Sequence, residues 1–539
     1  MNTLNQKQST YETPNVVSSG IPQSILSVIQ TAKYIPGVLV LENNRTFGRT
    51  ANKKRLLYKC VPNNRELPSF VVPYEVSLGF SKSIPNKYVL FRFDSWVNNN
   101  ERPHGILVEV LGDVTNRTVY YDYQLYCREL QHSITPFIRV VREHTIRPPQ
   151  YTLPVGGLRP PFSIDPYGST DLDDALSITP HPTHIGNYIV SVFIANVFQM
   201  METLGTWKSF SNRVSTIYLP DRKLPLLPPL LSDNLCSLLE NEVRSAFIMD
   251  VEITSSGTLL TESATFRTDS IKVTRNYRYE SRELLKDNQY LDLLRMSQLA
   301  DPSIRDSHDV VAFWMIQMNT ICGSVLVRHN TGILRGGGDS NPPDNAEITQ
   351  YTTTLDISTQ TFLKNWKHTN CIYQVYDSSV SGSAYHHAGI NTNTYAHITS
   401  PIRRLVDIVN QTLFIHHLGL VESVSQNAID FCNHWIAQIE NINTSMKSIR
   451  KLQIECELLY LCETDPSLLD SVHSGIVFDK KCRDDVYYSY IVYLEDLCRV
   501  ARVRSIVDYP EYTRLAFRLF FFTDEDNIRD KVRLQILDL

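Results

Sequence analysis

Residues 162–177 read Phe-Ser-Ile-Asp-Pro-Tyr-Gly-Ser-Thr-Asp-Leu-Asp-Asp-Ala-Leu-Ser. Four carboxylates, Asp165, Asp171, Asp173 and Asp174, fall within ten residues, with no Lys or Arg among them. Like charges held this close repel one another unless a cation lies between them. Hard oxygen donors without His or Cys nearby suit Mg²⁺ or Mn²⁺. The same set suits two-metal phosphoryl chemistry, in which one ion activates water and the other stabilises the leaving oxygen. A solvated acidic loop or a calcium loop has a similar composition, although the Gly-to-Glu spacing of an EF-hand is missing.

A second segment, residues 395–407, reads Tyr-Ala-His-Ile-Thr-Ser-Pro-Ile-Arg-Arg-Leu-Val-Asp. Thr399 or Ser400 can cap a helix, and Pro401 suits its first turn. Arg403 and Arg404 then stand at the helix end whose dipole disfavours cations. That placement is reasonable if an anion binds there. The alternative is a surface ion pair between Arg403 and Asp407 at i,i+4. A third segment, residues 45–59, carries Arg45, Arg49, Lys53, Lys54, Arg55 and Lys59 with no acid, and Phe47 and Tyr58 are interspersed. On a β barrel this suits backbone tracking plus base stacking, and the alternative is a basic solvated hairpin. His386 and His387 are weak metal candidates. His181 and His184 are expected to be exposed in a Pro-containing loop. Ser232-Asp233-Asn234 lacks a following Lys-Thr-Gly and is read as chance.

The elements that must position these groups can be read more coarsely. The chain has 539 residues, 42% apolar and 20% charged, which excludes wholesale disorder and predicts several domains. The net charge of −5 argues against a polybasic binder, yet the aspartate quartet alone carries −4 of it and residues 45–59 carry +6. Charge here is local. Ten scattered cysteines without CxxC spacing predict no zinc ribbon and an intracellular, cytoplasmic protein. Residues 1–20 lack the apolar core of a signal peptide. No uninterrupted apolar run approaches the ~18 residues of a bilayer span, so no membrane partner is expected. Residues 1–34 read as a disordered tail. Short alternating runs from 38 to 147 read as all-β, and Pro148, Pro149, Pro154, Pro160 and Pro161 as a linker. A mixed α/β region follows. It has a strand at 188–195, a buried helix at 310–327, helical spacing from Ile402 to Leu413 and a helical stretch over about 425–463. Residues 470–539 return to short β runs.

Taken together, these segments resemble the ribonuclease II / ribonuclease R family, whose eukaryotic members include the exosome's catalytic exoribonuclease. Ile164-Asp165 through Asp171-Leu172-Asp173-Asp174-Ala175-Leu176 is similar to the family's four-aspartate motif without a gap. His387-Ala-Gly-Ile followed by Tyr395-Ala-His-Ile-Thr-Ser-Pro-Ile-Arg-Arg is similar to its second signature. Ser215-Thr-Ile-Tyr-Leu-Pro and Leu227-Pro-Pro-Leu-Leu-Ser-Asp-Asn-Leu-Cys-Ser-Leu match in order between them. Phe91-Arg-Phe-Asp-Ser-Trp96 through Gly112 looks like a second cold-shock module of the eukaryotic type, with no endonuclease domain expected ahead of it. The resemblance is strong over about residues 155–420 and weaker in the flanks.

The resemblance implies a multidomain α+β protein with N-terminal OB-fold barrels, a central α/β catalytic domain and a C-terminal OB-fold. The implied divisions are 35–75 and 76–150 for two cold-shock-type barrels, 155–465 for the catalytic domain and 466–539 for the last barrel. It implies processive 3′→5′ hydrolysis of single-stranded RNA to nucleoside 5′-monophosphates by a monomer using Mg²⁺ or Mn²⁺, with two ions during catalysis. Asp165 and Asp174 match metal ligands, and Asp171 a supporting ligand through water. Asp173 matches the aspartate most needed for the chemical step, and Arg403 the grip on the reacting phosphate. Tyr218, Tyr279, His387 and Arg404 are implied RNA contacts, alongside the basic set Arg45, Arg49, Lys53, Lys54 and Arg55. Asn196, Leu405, Asn410 and Gln411 depart from the family pattern, where Asp, Tyr, His and Arg are usual. They bear on support of the site and on rate. A catalytically weakened RNA-binding regulator of the same fold is the alternative. A DNA-directed nuclease using the same metals is a third reading, decided by contacts to the 2′-hydroxyl.

Overall fold

The computed structural model describes residues 23–42, 45–50, 52–76, 84–96, 101–145, 160–337, 371–483, 487–523 and 530–537, with a few positions between 355 and 366. Most of the predicted proline linker and residues 1–22 lie outside the described residues. By its contacts the chain forms two compact units, residues 1–129 with 520–533, and residues 130–519 with 534–539.

In the first unit the strands are β1 (Ile35–Leu39), β2 (Thr46–Arg49), β3 (Leu56–Pro62), β4 (Phe70–Tyr74), β5 (Lys87–Ser95) and β6 (His104–Asp113). They share one sheet in the order β1-β5-β6-β4-β3-β2, and β1 also pairs with β3. The expected division into two barrels at residue 75 is therefore corrected. Ile35 pairs with Phe91 and Val71 with His104, so strands from both sides of that boundary complete one another's ladders. Leu39, Cys60 and Phe70 from one side of that boundary share one core with Val89 and Phe91 from the other. Two helices of this unit also stand where β structure or a tail was expected, and a third, Thr135–His144 of the second unit, falls in the same all-β stretch. Gln23–Thr31 buries Ile29 in that core. Arg117–Cys127 is capped by the Asn116 side chain on the Val119 N–H and buries Tyr120, Tyr121 and Tyr123. Its tyrosines read as β-type residues, but the Asn cap sets the helix.

The second unit is built on a six-stranded sheet in the order β13-β12-β9-β8-β7-β14. Its strands are β7 (Phe162–Asp165), β8 (Asp174–Pro180), β9 (Tyr188–Ala195), β12 (Val243–Ile253), β13 (Leu259–Lys272) and β14 (Arg275–Arg278). A small hairpin, β10 (Ile217–Tyr218) with β11 (Lys223–Leu224), lies between β9 and β12 in sequence. Every pairing in the large sheet is antiparallel except β7 with β14. The strand predicted at 188–195 is β9, buried on both faces over its second half. Helices Asn288–Ala300 and Ser307–Arg328 cover β8 and β9, and helix Leu405–His417 packs on Ser307–Arg328. β15 (Ile333–Gly336) pairs with β16 (Ile372–Val375). The predicted helical stretch resolves into Gln426–Ile436 and Ile439–Thr464. A last five-stranded sheet has the order β19-β18-β17-β20-β21, made from β17 (Val472–Arg483), β18 (Tyr487–Leu494), β19 (Arg499–Ser505), β20 (Arg514–Thr523) and β21 (Asp530–Leu537).

Among the described residues, Ser307–Arg328 is the one helix long and apolar enough to cross a membrane by length and composition. It is not an uninterrupted apolar run, because Gln317, Asn319 and Thr320 break it. The helix is a core element: Val310, Trp314, Met318, Cys322 and Leu326 are buried at helical spacing. Asn319 donates to the Tyr395 and Thr399 hydroxyls and accepts the Ile398 N–H. Gly323 permits the close approach of this helix to the segment that leads into the arginine turn. A Cβ there would stand 1.7 Å from the Thr394 carbonyl oxygen. In an open helix Gly→Ala stabilises by about 1 kcal/mol. Here Gly323→Ala is expected to cost about 3 kcal/mol, because backbone must move. Urea unfolding of the two proteins checks the sign.

Candidate active site

β7 delivers Asp165 at its last residue, and β8 begins at Asp174. The two strands are antiparallel neighbours, so the loop between them returns all four aspartates to one place. Gly168 turns that loop with a φ of +82°, a conformation glycine adopts without strain. Leu172 is buried, and its N–H donates to Ser237 Oγ at 3.0 Å. The Asp173 carbonyl accepts the Ala195 N–H at 2.8 Å, which fixes the aspartate to the end of β9.

The arginine turn meets this loop directly. The Asp173 carboxylate accepts the Ile402 N–H at 2.8 Å and Arg403 Nε at 3.1 Å. Arg403 Nη2 also donates to Ser400 Oγ at 2.9 Å, while its side chain remains 45% exposed. The helix starts later than the capping residues suggested. Ser400–Arg404 is a turn, Arg404 is extended and bridges to Ser215, and the helix begins at Leu405. The alternative pairing of Arg403 with Asp407 is also corrected. Asp407, fully buried, accepts Arg404 Nη2 at 2.8 Å and the Ser400 N–H at 2.7 Å. Arg404 is thus a structural cation under the turn, not an RNA-facing one.

The electrostatics call for more positive charge than the protein supplies. Asp165 accepts Ser163 Oγ at 2.6 Å, yet burial pushes its pKa up to about 6. Burial also pushes Asp173 up, to about 7, against the opposing pull of Arg403. Asp174 is raised well above the usual carboxylate range by burial and then by the charges of Asp165 and Asp173. No hydrogen-bond donor meets the Asp174 side chain among the described residues. Crowded oxygen donors of this kind, Asp165 and Asp173 buried and Asp174 half-buried, fit a hard divalent cation.

The sign of the pH dependence follows. Each of these acids binds its proton more tightly folded than unfolded, so folding takes up protons between about pH 4 and 7. Their contribution to the metal-free protein is fully present below the unfolded pKa and is lost as pH rises through the folded values. Saturating Mg²⁺ is expected to raise Tm more at pH 8 than at pH 5.5, and Asp174→Asn to flatten that difference. Thermal melts in EDTA and in Mg²⁺ at both pH values check this. An equal Mg²⁺ effect at both would place the ion elsewhere.

The remaining predicted residues separate into two groups. Tyr218 is 42% exposed beside the cluster, and its hydroxyl donates to Asp171 Oδ2 at 3.0 Å. Tyr279 follows β14, and its N–H donates to the Asp165 carbonyl at 3.4 Å. Its ring stacks on His308 at 3.6 Å between centroids. His387 is buried at 1% exposure, its N–H bonded to the Thr392 carbonyl and its ring against Tyr395. It is therefore corrected from an RNA contact to a packing residue. Arg45, Arg49, Lys53, Lys54 and Arg55 are all exposed on the β2–β3 hairpin of the first unit. Phe47 lies under the Arg45 and Arg102 guanidinium groups, whereas Tyr58 is buried in the barrel core and is not a stacking surface.

The four departures from the family pattern have work within the core. Asn196 caps the helix Val197–Leu204 on the Gln199 N–H. Leu405 is buried. Asn410 bonds both the N–H and the carbonyl of Ile333, and also the His397 carbonyl. Gln411 donates to the Ala195 carbonyl and accepts the Phe198 N–H. Since the Ala195 N–H holds Asp173, Gln411 anchors the aspartate loop at one remove. Two neighbours of the site escaped sequence reading, Lys223 and His308. The first had a signal: Pro220-Asp221 is a hairpin turn that sets Lys223 opposite Tyr218. Away from the cluster, His181 and His184 stack and face Glu252. His184 is exposed as expected, but His181 is half-buried. Its Nδ1 accepts the N–H groups of Thr183 and His184, which leaves the ring proton on Nε2 and makes the group a loop staple.

The sequence matches the RNB domain model over residues 159–292 and 288–419. It is 25% identical over 412 residues to the mouse Exosome complex exonuclease RRP44, covering 63% of this chain and 42% of that one. It is 25% identical over 336 residues to Ribonuclease R of Chlamydia trachomatis, covering 50% and 47%. The matches therefore span less than half the length of these two relatives. Among solved structures, Mycoplasma genitalium RNase R in complex with double-stranded RNA superposes with a TM-score of 0.65 at 16% identity, covering 94% of this chain and 96% of that one. Yeast Ssd1, a pseudonuclease, superposes with a TM-score of 0.59 at 13% identity, covering 90% and 66%. These likenesses show a shared multidomain α+β fold.

Proposed function

Since the chain carries an RNB domain and belongs to the RNB family, we propose that it is a processive 3′→5′ exoribonuclease that degrades single-stranded RNA to nucleoside 5′-monophosphates. The observation that carries this reading is the intact aspartate quartet with Arg403 held on Asp173. The names of the relatives, exonuclease and ribonuclease, point the same way, as does the RNA bound in the Mycoplasma genitalium enzyme.

Bound divalent ions, Mg²⁺ or Mn²⁺ and two in the full reaction, would supply an activated water and charge for the leaving oxygen. Asp165 and Asp174 would hold them. Asp173 fixes Arg403 and leaves its outer face, half exposed, to meet the phosphate of the last linkage. A guanidinium held at two points loses little freedom on binding that phosphate. Tyr218 and Tyr279 offer aromatic faces for terminal bases without reading sequence. The exposed cations at residues 45–55 suit phosphate tracking by the first unit.

A second reading is a pseudonuclease that binds RNA, as the likeness to Ssd1 suggests. The departures at 196, 405, 410 and 411 do not favour it, because each side chain is packed or hydrogen-bonded in the core. The discriminating experiment uses one RNA labelled at either end. The 3′ label is expected in mononucleotide from the first time point, while the 5′ label persists on shortening fragments down to a short end product. EDTA is expected to stop both. Early internal fragments, or release without divalent metal, would overturn the proposal.

A further inference from the structure

Lys223 stands beside the aspartate cluster with a cation's charge and no part in the chemistry above. Its ammonium donates to Thr170 Oγ1 at 2.9 Å, to Asp171 Oδ1 at 3.0 Å and to Asp233 Oδ1 at 2.9 Å. All three of its N–H donors are therefore used. Asp233 sits on a single π-helical turn, Leu231–Leu235, and is further held by Ser232 Oγ at 2.8 Å. The Ser-Asp-Asn string that carried no motif in the sequence is thus the far anchor of this lysine. Two carboxylates at hydrogen-bond distance outweigh the burial that would discharge it, so the ammonium stays charged.

Asp171 is consequently occupied on both sides. Oδ1 takes Lys223, and Oδ2 takes the Tyr218 hydroxyl. Its side chain is only 10% exposed. A divalent ion brought to the same carboxylate would stand next to a fixed positive charge, a repulsion that Asp174, with no donor on it, does not impose. Tyr218, by contrast, has its hydroxyl pinned while the residue stays 42% exposed, as a surface pre-set for a base needs.

We propose that Lys223 is a positioning residue: its ammonium takes the place of a metal at Asp171 and turns that carboxylate into the acceptor that aims the Tyr218 ring at the RNA. The inference rests on the exoribonuclease reading and revises one part of it, since Asp171 then acts through Tyr218 and the metal is left to Asp165 and Asp174.

Two measurements on the full chain, neither of which needs turnover, test it. Mn²⁺ binding without RNA is followed by electron paramagnetic resonance. Asp174→Asn is expected to weaken it by at least about tenfold, and Asp171→Asn to leave it within about twofold. Binding of an oligoribonucleotide with a free 3′ end is measured in EDTA. Lys223→Met and Tyr218→Phe are each expected to weaken it about fivefold, and the double variant to be no weaker than either single one, because both act through one ring. If Asp171→Asn loses Mn²⁺ as Asp174→Asn does, Asp171 is a ligand and the inference is wrong. It is equally wrong if Lys223→Met binds RNA as the wild type does, or if the two losses multiply. Should Lys223→Met fail to fold, Tyr218→Phe paired with Asp171→Asn gives the same non-additivity test. Failure of the wild type to release mononucleotide would sink the nuclease reading instead, and would leave this binding pattern standing.

Discussion

Asp173→Asn is expected to reduce mononucleotide release by at least about 10³-fold while RNA affinity stays within about threefold. The geometry explains both halves. The Asp173 carboxylate accepts from the Ile402 N–H and from Arg403 Nε, and its backbone carbonyl is held by Ala195. An asparagine keeps the shape and the backbone bond. Its amide has one acceptor oxygen and one donor nitrogen, so one of those two N–H groups then faces a donor. The charge next to Asp165 and Asp174 also falls by one, at the point where a cation has to be gripped. RNA binding draws mostly on other groups, Tyr218, Tyr279 and the exposed cations at residues 45–55, none of which touches Asp173 among the described contacts; Arg403, which does, meets a single phosphate. Single-turnover assays on a 5′-labelled RNA and a filter-binding titration give the two numbers. Wild-type release by Asp173→Asn would falsify its assignment. Loss of release together with loss of binding would mean that the substitution had disturbed the fold.

How far this site was readable before any coordinates depends on which residues are considered. The aspartate quartet was legible because all four groups lie within one short loop, and the strand-turn-strand that folds them together is itself written locally. Arg403 was legible as an anion-facing group but not as the partner of Asp173. That contact joins positions 230 residues apart, and nothing in either segment announces it. Arg404 and His387 misled for the opposite reason. Both sit in a motif rich in functional types, and burial is a tertiary property: Asp407 and Tyr395 enclose them only after the chain has folded. Asn410 and Gln411 looked like erosion and proved to be bonded to backbone in the core, and Asn196 caps a helix through its oxygen although its amide nitrogen has no partner there among the described residues. The first unit failed differently. Alternating patterns locate strands but not sheet membership, and one six-stranded sheet has the same local signal as two smaller ones.

Arg403 and Arg404 are adjacent in sequence and are expected to fail in opposite ways. Arg403→Lys is expected to lower kcat about 10²-fold with an unchanged Tm. Lysine keeps the charge, but one ammonium cannot reproduce a planar fork that reaches Asp173 through Nε and Ser400 through Nη2 while presenting a further edge to phosphate. Recovery of full activity in Arg403→Lys would show that only charge is needed there. Arg404→Ala is expected to destabilise the protein by about 3 kcal/mol or more, because it strands the fully buried Asp407 carboxylate. The Ser400 N–H rests on that same carboxylate, which stands in the first turn of helix Leu405–His417. The turn that aims Arg403 would loosen with it, so any activity lost in Arg404→Ala should track the folded fraction. Urea titration alongside the rate assay separates the two arginines. A stable Arg404→Ala protein that has lost only RNA affinity would return Arg404 to the nucleic-acid surface and overturn the structural role given to it here.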